Sequence, residues 1–388
     1  MRMLDDDVKR SVFKTIEAER LFRYDCEVPY ESITSRLEDA FAKAVGSRYC
    51  VAVNSCSSGL FLSMVTAGVA PGDRVAIPSF TFIAVPSAVV HVGATPMLVE
   101  MTEDYVMDLG DFERKIADGT VKALMLSYMR GRVPDIDRVM KLCERYNVLF
   151  LEDAAHSLGV LYKGKQTGTF GISGAFSAQS NKMIDGGEGG LFVTDEKQIA
   201  FETMLYAGCY EDNWKKHFGT HEDEARLADM TNRYPAYNFR MSNLSAAALL
   251  PQISKVEARA ERFNANYGKL VEIIGAHPNI RIPSFTDGVR PASDSIQWEF
   301  VGLTDDQIAR IGSRLIERAV KIDIFTGGNA RCFWNWGFFE HAEHDCPATR
   351  NMISRTVDMR LKLFFDASAI NAIGKTVVHT IDEILAET

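Results

Sequence analysis

Apolar and polar positions along this chain follow two rhythms that take turns. From Ser32 to Val45, Ile33, Leu37, Ala40, Phe41 and Val45 fall on one face at helical spacing. Tyr49 to Val53 then reads as a short strand, followed by the small-residue turn Asn54-Ser55-Cys56-Ser57-Ser58-Gly59 and an apolar helix from Leu60 to Ala67. Apolar runs at Arg74 to Pro78, Thr95 to Glu100, Ala123 to Ser127 and Val148 to Glu152 predict buried strands. Helical stretches separate them, from Ser79 to about Val92 and from Pro134 to Tyr146. Strands that are apolar throughout and alternate with helices imply an α/β fold whose mostly parallel sheet is covered on both faces. Catalytic groups then gather at the carboxyl ends of the strands.

The pattern changes at both ends of the chain. Residues 1–48 predict a polar helical arm broken over Phe22 to Tyr30. Ser173 to Ser177 and Leu191 to Thr194 read as strands, and Ala207 to Pro235 is a polar, charged excursion. After Ser242 an Ala-rich helix ends near Ile253, and a long helix runs on from Ile253 to Ile274. The remainder predicts helices at Thr304 to Arg318 and Ser368 to Glu387, with strands near Ile280, Gln297 and Ile322. We expect a large domain over residues 1–250, including the arm, and a smaller C-terminal α+β domain over 251–388.

Composition narrows this picture. A chain of 388 residues exceeds the size at which one core usually keeps growing, in keeping with two domains. Its formal charge of −9 carries no long run of one sign, which argues against a nucleic-acid surface. The uncharged stretch from Val75 to Val99 is broken by Pro78, Pro86, Gly93 and Pro96, so no membrane span is expected. The acidic start, Asp5-Asp6-Asp7, does not suit a secretory signal. Seven cysteines without a C-x-x-C pair fit reduced thiols in the cytoplasm better than a zinc site or a disulfide framework.

Four stretches carry candidate chemistry or pocket lining. Lys182 lies between two strand-like runs and is followed by Gly186, Gly187, Gly189 and Gly190. In isolation it reads as a solvated lysine on a glycine-rich turn. The turn at Asn54 to Gly59 suits a phosphate cradle at a helix N-terminus, although Ser57 and Ser58 serve equally as ordinary N-caps. Asp153 ends a buried strand, and Glu152 points to the opposite side. The aromatic cluster from Phe333 to Phe339 reads as core or as pocket lining.

Together these stretches resemble a known family. N-S-C-S-S-G-L, P-S-F-T-F-I-A, V-G-A-T-P-M-L-V-E, L-E-D-A-A-H-S-L-G, F-S-A-Q-S-N-K with G-E-G-G, and Y-N-F-R-M-S occur in the order and spacing of the DegT/DnrJ/StrS sugar aminotransferases. These are fold-type I enzymes that use pyridoxal 5′-phosphate. The resemblance implies that Lys182 carries the cofactor as a Schiff base and that Asp153 pairs with its ring nitrogen. It also implies that Phe82 stacks on the ring, that His156 lies near the ring oxygen, and that Cys56, Ser57 and Ser177 hold the phosphate. Asn238 matches a residue that reaches the phosphate in the neighbouring subunit, so a homodimer with shared sites is implied.

The resemblance further implies transfer of an amino group from glutamate or glutamine to a keto or aldehyde group of a sugar-like or natural-product intermediate, with ping-pong kinetics. Cyclitol, ulosonic acid and nucleoside-analogue or heterocyclic acceptors are alternatives. A cofactor-binding protein without turnover is the reading from another class. Dehydratases of the same group carry histidine where this chain has Lys182. Arg23, Tyr128, Arg130 and Arg240 are the expected substrate-facing residues. Tyr128 stands where relatives often have histidine, Cys56 replaces a glycine and Asn243 an acid, which suggests an altered substrate pocket.

Overall fold

The computed structural model describes residues 3–220, 223–231, 233–325, 328–339 and 346–387. Residues 221, 222 and 232 of the polar excursion therefore lie outside the described residues. Fourteen strands are present among those described: β1 (Tyr49–Val53), β2 (Arg74–Pro78), β3 (Thr95–Val99), β4 (Val121–Ser127), β5 (Leu149–Asp153), β6 (Leu161–Tyr162), β7 (Lys165–Gln166), β8 (Ser173–Ser177), β9 (Gly190–Thr194), β10 (Ile280–Arg281), β11 (Val289–Arg290), β12 (Ser295–Phe300), β13 (Asp323–Ile324) and β14 (Thr356–Arg360). Seven of them form the central sheet in the order β1-β9-β8-β5-β4-β2-β3. Pairings from β3 through β2, β4 and β5 to β8 are parallel, and β9 runs antiparallel to both β8 and β1.

The parallel strands are apolar on both faces because both faces are covered. Leu124 and Leu126 of β4 enter one hydrophobic cluster, and Ala123 and Met125 enter another. The Ile33–Val45 helix buries Leu37, Phe41 and Val45 against the first cluster, as its periodicity predicts. Burying side chains of this size contributes about 1.5–3 kcal/mol each.

A second sheet, β10-β12-β14-β13, is antiparallel and belongs to the C-terminal part. The Val256–Ile274, Asp305–Glu317 and Ala367–Ala386 helices contribute buried residues there. A three-stranded ribbon, β11-β6-β7, joins Val289 and Arg290 to the hairpin after β5. Among the described residues no helix is long and apolar enough to cross a membrane.

Several local expectations change. The first apolar helix spans Cys56–Thr66, and its cap is Ser55, whose side chain accepts from the Ser58 amide, rather than Ser57 or Ser58. The helix expected from Ser79 begins at Ala84, because Ser79 extends the strand edge by donating its amide and hydroxyl to the Val99 carbonyl at 2.9 and 2.8 Å. The polar excursion is not bare loop. It includes a 3₁₀ turn, Glu211–Lys216, and a helix, Glu224–Met230, which bury Trp214 and Leu227 in a third cluster. In the aromatic run, Phe333 and Trp336 are core and Phe338 is exposed.

Candidate active site

The site begins where β4 and β5 end side by side, with Ser127 in register with Asp153. Ser127 Oγ donates to Asp153 Oδ2 at 2.7 Å, and the Ala155 amide donates to Oδ1 at 3.1 Å. Burial raises the Asp153 carboxyl above its ordinary range, and these two hydrogen bonds only partly offset that. Such a carboxylate gains most from a cationic N–H partner.

Glu152 points to the other face by the alternation of the strand. There it accepts from Tyr128 Oη at 2.6 Å and from the amides of Gly168, Phe170 and Gly171 at 2.7, 2.6 and 2.6 Å. Its role is to gather the loop before β8.

That loop leads through β8 to Lys182. The β8–β9 connection is pinned by Ala178 N to Gly189 O, Gly186 N to Ala178 O and Ser180 N to Gly187 O, at 2.9, 2.9 and 3.0 Å. Gly187 sits at φ 78°, where a side chain is strained, and Gly190 leaves no room for a Cβ, which would meet the Ser55 carbonyl oxygen at 2.3 Å. The glycines thus bring the lysine turn against the start of the Cys56–Thr66 helix.

Lys182 Nζ lies 2.9 Å from His156 Nε2. Burial, with Arg360 adding to it, pulls the lysine down to about 8. His156 is held neutral by burial, then by the charge of Lys182 and of Arg130, Arg360 and Arg331, and its Nδ1 has no partner among the described residues.

One cavity of about 400 Å³ brings most of the expected residues together: Cys56, Ser57, Phe82, Arg130, Asp153, His156, Ser177 and Lys182 all line it. At its floor the first amides of the Cys56–Thr66 helix have no acceptor within the helix, which makes an anion site. The Cys56 thiol turns back to the Ala175 carbonyl at 3.6 Å, so this residue offers its amide and not its side chain. Phe82 is 43% exposed and lines the cavity, so its ring face is open to a flat ligand there.

The other substrate candidates are placed elsewhere within the chain. Arg23 is buried in an ion pair with Glu38, because its guanidinium finds a carboxylate inside the fold. Tyr128 serves Glu152, one residue round from the cavity side of its strand. Arg240 donates to the Gly208 carbonyl at 2.8 Å and lies over Phe22 and Tyr210. Two further arginines are also committed to the backbone: Arg132 reaches the carbonyls of Pro283 and Ser284, and Arg355 those of Phe300 and Leu303. Asn238 is on an exposed segment, where its carbonyl accepts from Asn54 Nδ2 at 3.3 Å.

Two further residues line the cavity: Arg331, outside the expected set, and Arg360, which the likeness of M-I-S-R-T-V-D-M-R-L-K-L to enzymes acting on an ulosonic acid marks as a carboxylate partner. Arg360 had a local signal, since it alternates with Asp358 on β14 and so shares its face. Arg331 lies in an irregular segment without periodicity.

Comparison with known proteins bears on the fold and the family. A GDP-perosamine synthase of Caulobacter vibrioides is 33% identical over 223 residues, 57% of this chain and 56% of that protein, so the match spans little more than half the relative's length. Among solved structures, 3-amino-5-hydroxybenzoic acid synthase superposes with a TM-score of 0.84 at 22% identity, covering 98% of this chain and 97% of the other. Helicobacter pylori PseC, an aminotransferase involved in the biosynthesis of pseudoaminic acid, gives 0.83 at 17%, covering 98% and 97%. These low identities speak to the fold, the fold-type I arrangement expected from the motifs. The family assignment rests on residues 30–378, which match the DegT/DnrJ/EryC1/StrS aminotransferase family, and the chain belongs to that family.

Proposed function

We propose that this chain is a pyridoxal 5′-phosphate-dependent aminotransferase, taking an amino group from glutamate or glutamine and giving it to the carbonyl of a sugar-like or natural-product intermediate. The observation that carries this reading is the meeting of Lys182, His156 and Asp153 with an open helix N-terminus and an exposed aromatic face in one cavity.

The residues suit that cofactor. The helix amides of Cys56 and Ser57, with Ser177 Oγ, would hold its phosphate; Phe82 would cover the ring; Asp153 would meet the ring nitrogen; and His156, whose Nδ1 has no partner among the described residues, would face the ring oxygen. When bound, pyridoxal phosphate supplies the electron sink that lets an amino-bearing carbon lose its proton.

The protein supplies the rest. Lys182, brought down to about 8, is partly neutral near pH 7 and would be the amine that holds the cofactor, with loss of water from its carbonyl. Once released, the same amine can carry a proton to and from the reacting carbon, while its neighbour His156 stays uncharged. Asp153 stays tied by Ser127 and Ala155, which fixes its orientation.

A homodimer belongs to this reading, with Asn238 reaching the partner's phosphate site. Its exposure and lack of a side-chain contact within the described chain support that role. The seven free cysteines support work in the reducing cytoplasm. The perosamine synthase relative supports a sugar-derived acceptor.

The test is spectroscopic. Protein loaded with pyridoxal phosphate should lose the cofactor's visible absorbance on adding glutamate or glutamine, and regain it with an oxo acid. If no donor produced the change, transamination would be refuted. Light scattering of the loaded protein should report a dimer, and a monomer would refute the shared site.

A further inference from the structure

This inference rests on the aminotransferase reading above, which makes Lys182 the reacting amine. We propose that Arg259 is a positioning residue for Lys182: a buried guanidinium that ties the lysine turn to the chain's own N-terminal segment, so that seating of that segment sets how deep the amine lies.

The turn's own backbone hydrogen bonds fix its shape but not its height over the cavity. Asn181, just before the lysine, holds a left-handed φ of 73°, which a residue other than glycine keeps when its surroundings impose it. Arg259, on the Val256–Ile274 helix, donates through Nη1 to the carbonyl of Met183, just after the lysine, at 2.7 Å. The same Nη1 meets Gln252 Oε1 at 2.9 Å. The Gln252 side chain in turn accepts from the Asp185 amide at 3.1 Å and donates to the Asp185 carbonyl at 2.7 Å. Nη2 of Arg259 donates to the Met3 carbonyl at 3.0 Å. One planar fork thus spans the lysine turn and the N-terminal segment.

Arg259 and Gln252 are both fully buried, and Arg259 forms no ion pair among the described residues. Burial pulls the guanidinium below the usual arginine range, and Asp5 and Asp185 oppose this through space. A cation met by carbonyl dipoles alone is costly to bury, and a methionine would fill much the same space. What the guanidinium adds is geometry, because donors held in one plane set the carbonyls of Met3 and Met183 relative to each other.

The N-terminal segment is held there a second time. Lys255, one helical turn before Arg259, donates to Asp5 Oδ2 at 2.6 Å and to Asp7 Oδ2 at 2.9 Å. Met3 also lines a second cavity of about 470 Å³ together with Lys182, Asp185 and Phe263. The segment therefore reaches the amine's surroundings twice, through the Arg259 fork and as a wall of this cavity. With the segment unseated, water enters from this side, and the burial that brings Lys182 down is lost.

An Arg259 with a structural role alone would alter stability and leave the amine unchanged, so the test reads the amine. Cofactor-free protein is labelled with a trace of acetic anhydride across a pH series, and acetylation of the Lys182 peptide is followed by mass spectrometry. Wild type should show a midpoint of about 8. Arg259→Lys keeps the charge and loses the fork. Its midpoint should rise by about one unit or more, which near neutral pH is about a tenfold loss of neutral amine. Asp5→Asn with Asp7→Asn releases the segment from Lys255 and keeps the helix cap, since asparagine caps as well as aspartate. Removing two anions would by itself lower a lysine, so a rise here comes from lost seating.

Urea unfolding checks that each variant folds, and a midpoint that fails to rise in either folded variant overturns the proposal. If Arg259→Lys does not fold, the double variant alone decides. Failure to take up pyridoxal phosphate would instead refute the aminotransferase reading, and the labelling, which needs no cofactor, would still decide this one.

Discussion

Arg23 and Glu38 face each other through two parallel N–H···O bonds of 2.9 and 3.0 Å, with side chains 2% and 5% exposed. Glu38 also accepts from the Ala52 amide at 2.8 Å and lies 3.1 Å from His217 Nδ1, whose other ring nitrogen is 3.0 Å from Tyr24 Oη. One carboxylate thus joins the N-terminal arm, the edge strand β1 and the polar excursion. Removing it leaves a buried guanidinium uncompensated, so Glu38→Gln should cost about 3–5 kcal/mol in urea unfolding. A loss below 1 kcal/mol (roughly the worth of an exposed pair) would contradict this.

The same carboxyl fixes an acid limit. Despite burial, Arg23 and then His217 hold Glu38 down at about 2, against an ordinary value of 4.5. A depressed carboxyl contributes stability that is fully present above its unfolded value and lost as pH falls toward the folded one. That contribution is about 3 kcal/mol, lost from about pH 5 downward. Wild type and Glu38→Gln should therefore converge in stability on acidification, and parallel curves would rule the linkage out.

Lys182 gives the opposite dependence at the site. Because the neutral amine is the form that bonds a carbonyl, uptake of pyridoxal phosphate by cofactor-free protein should accelerate with pH through a midpoint of about 8. Stopped-flow absorbance would follow it. A midpoint near the ordinary value of 10.5 would mean that the amine is solvated.

Asp153→Asn keeps the shape and the partner Ser127 but removes the charge. We expect cofactor uptake to persist and the donor-driven loss of visible absorbance to slow by about a hundredfold or more, the scale of one lost electrostatic contribution. Unaltered kinetics would remove Asp153 from the reaction.

Gly190→Ala places a methyl group 2.3 Å from the Ser55 carbonyl oxygen. The lysine turn and the helix start must then separate, which should weaken phosphate holding more than global stability. Equilibrium dialysis of the cofactor against thermal unfolding tests that split, and unchanged cofactor affinity would show that the two segments move independently.

The sequence was legible where local periodicity and chain order decide the outcome. The Ile33–Val45 face, the parallel strands and the placement of Asp153 and Lys182 in one cavity follow from patterns within single segments or from motif order. Sidedness was harder to read. Arg23 and Arg130 are both arginines beside aromatic or apolar residues, and only the tertiary fold decides that one meets Glu38 and the other the cavity. The Thr356–Arg360 strand was hidden because a central strand with Asp358 and Arg360 on one face looks polar until both are seen to be paired. Arg331 carries no pattern at all.

The reversed direction of β9 has a consequence for how the reaction site is assembled. A parallel strand after β8 would require a crossover of about a dozen residues or more, carrying the chain to the far edge of the sheet and back. Running antiparallel, β9 lets the chain turn round at the carboxyl edge, so Lys182 sits at the apex of a hairpin clasped by its own backbone. Under the proposed chemistry only the side chain's methylenes would need to swing, while the scaffold beneath stays still.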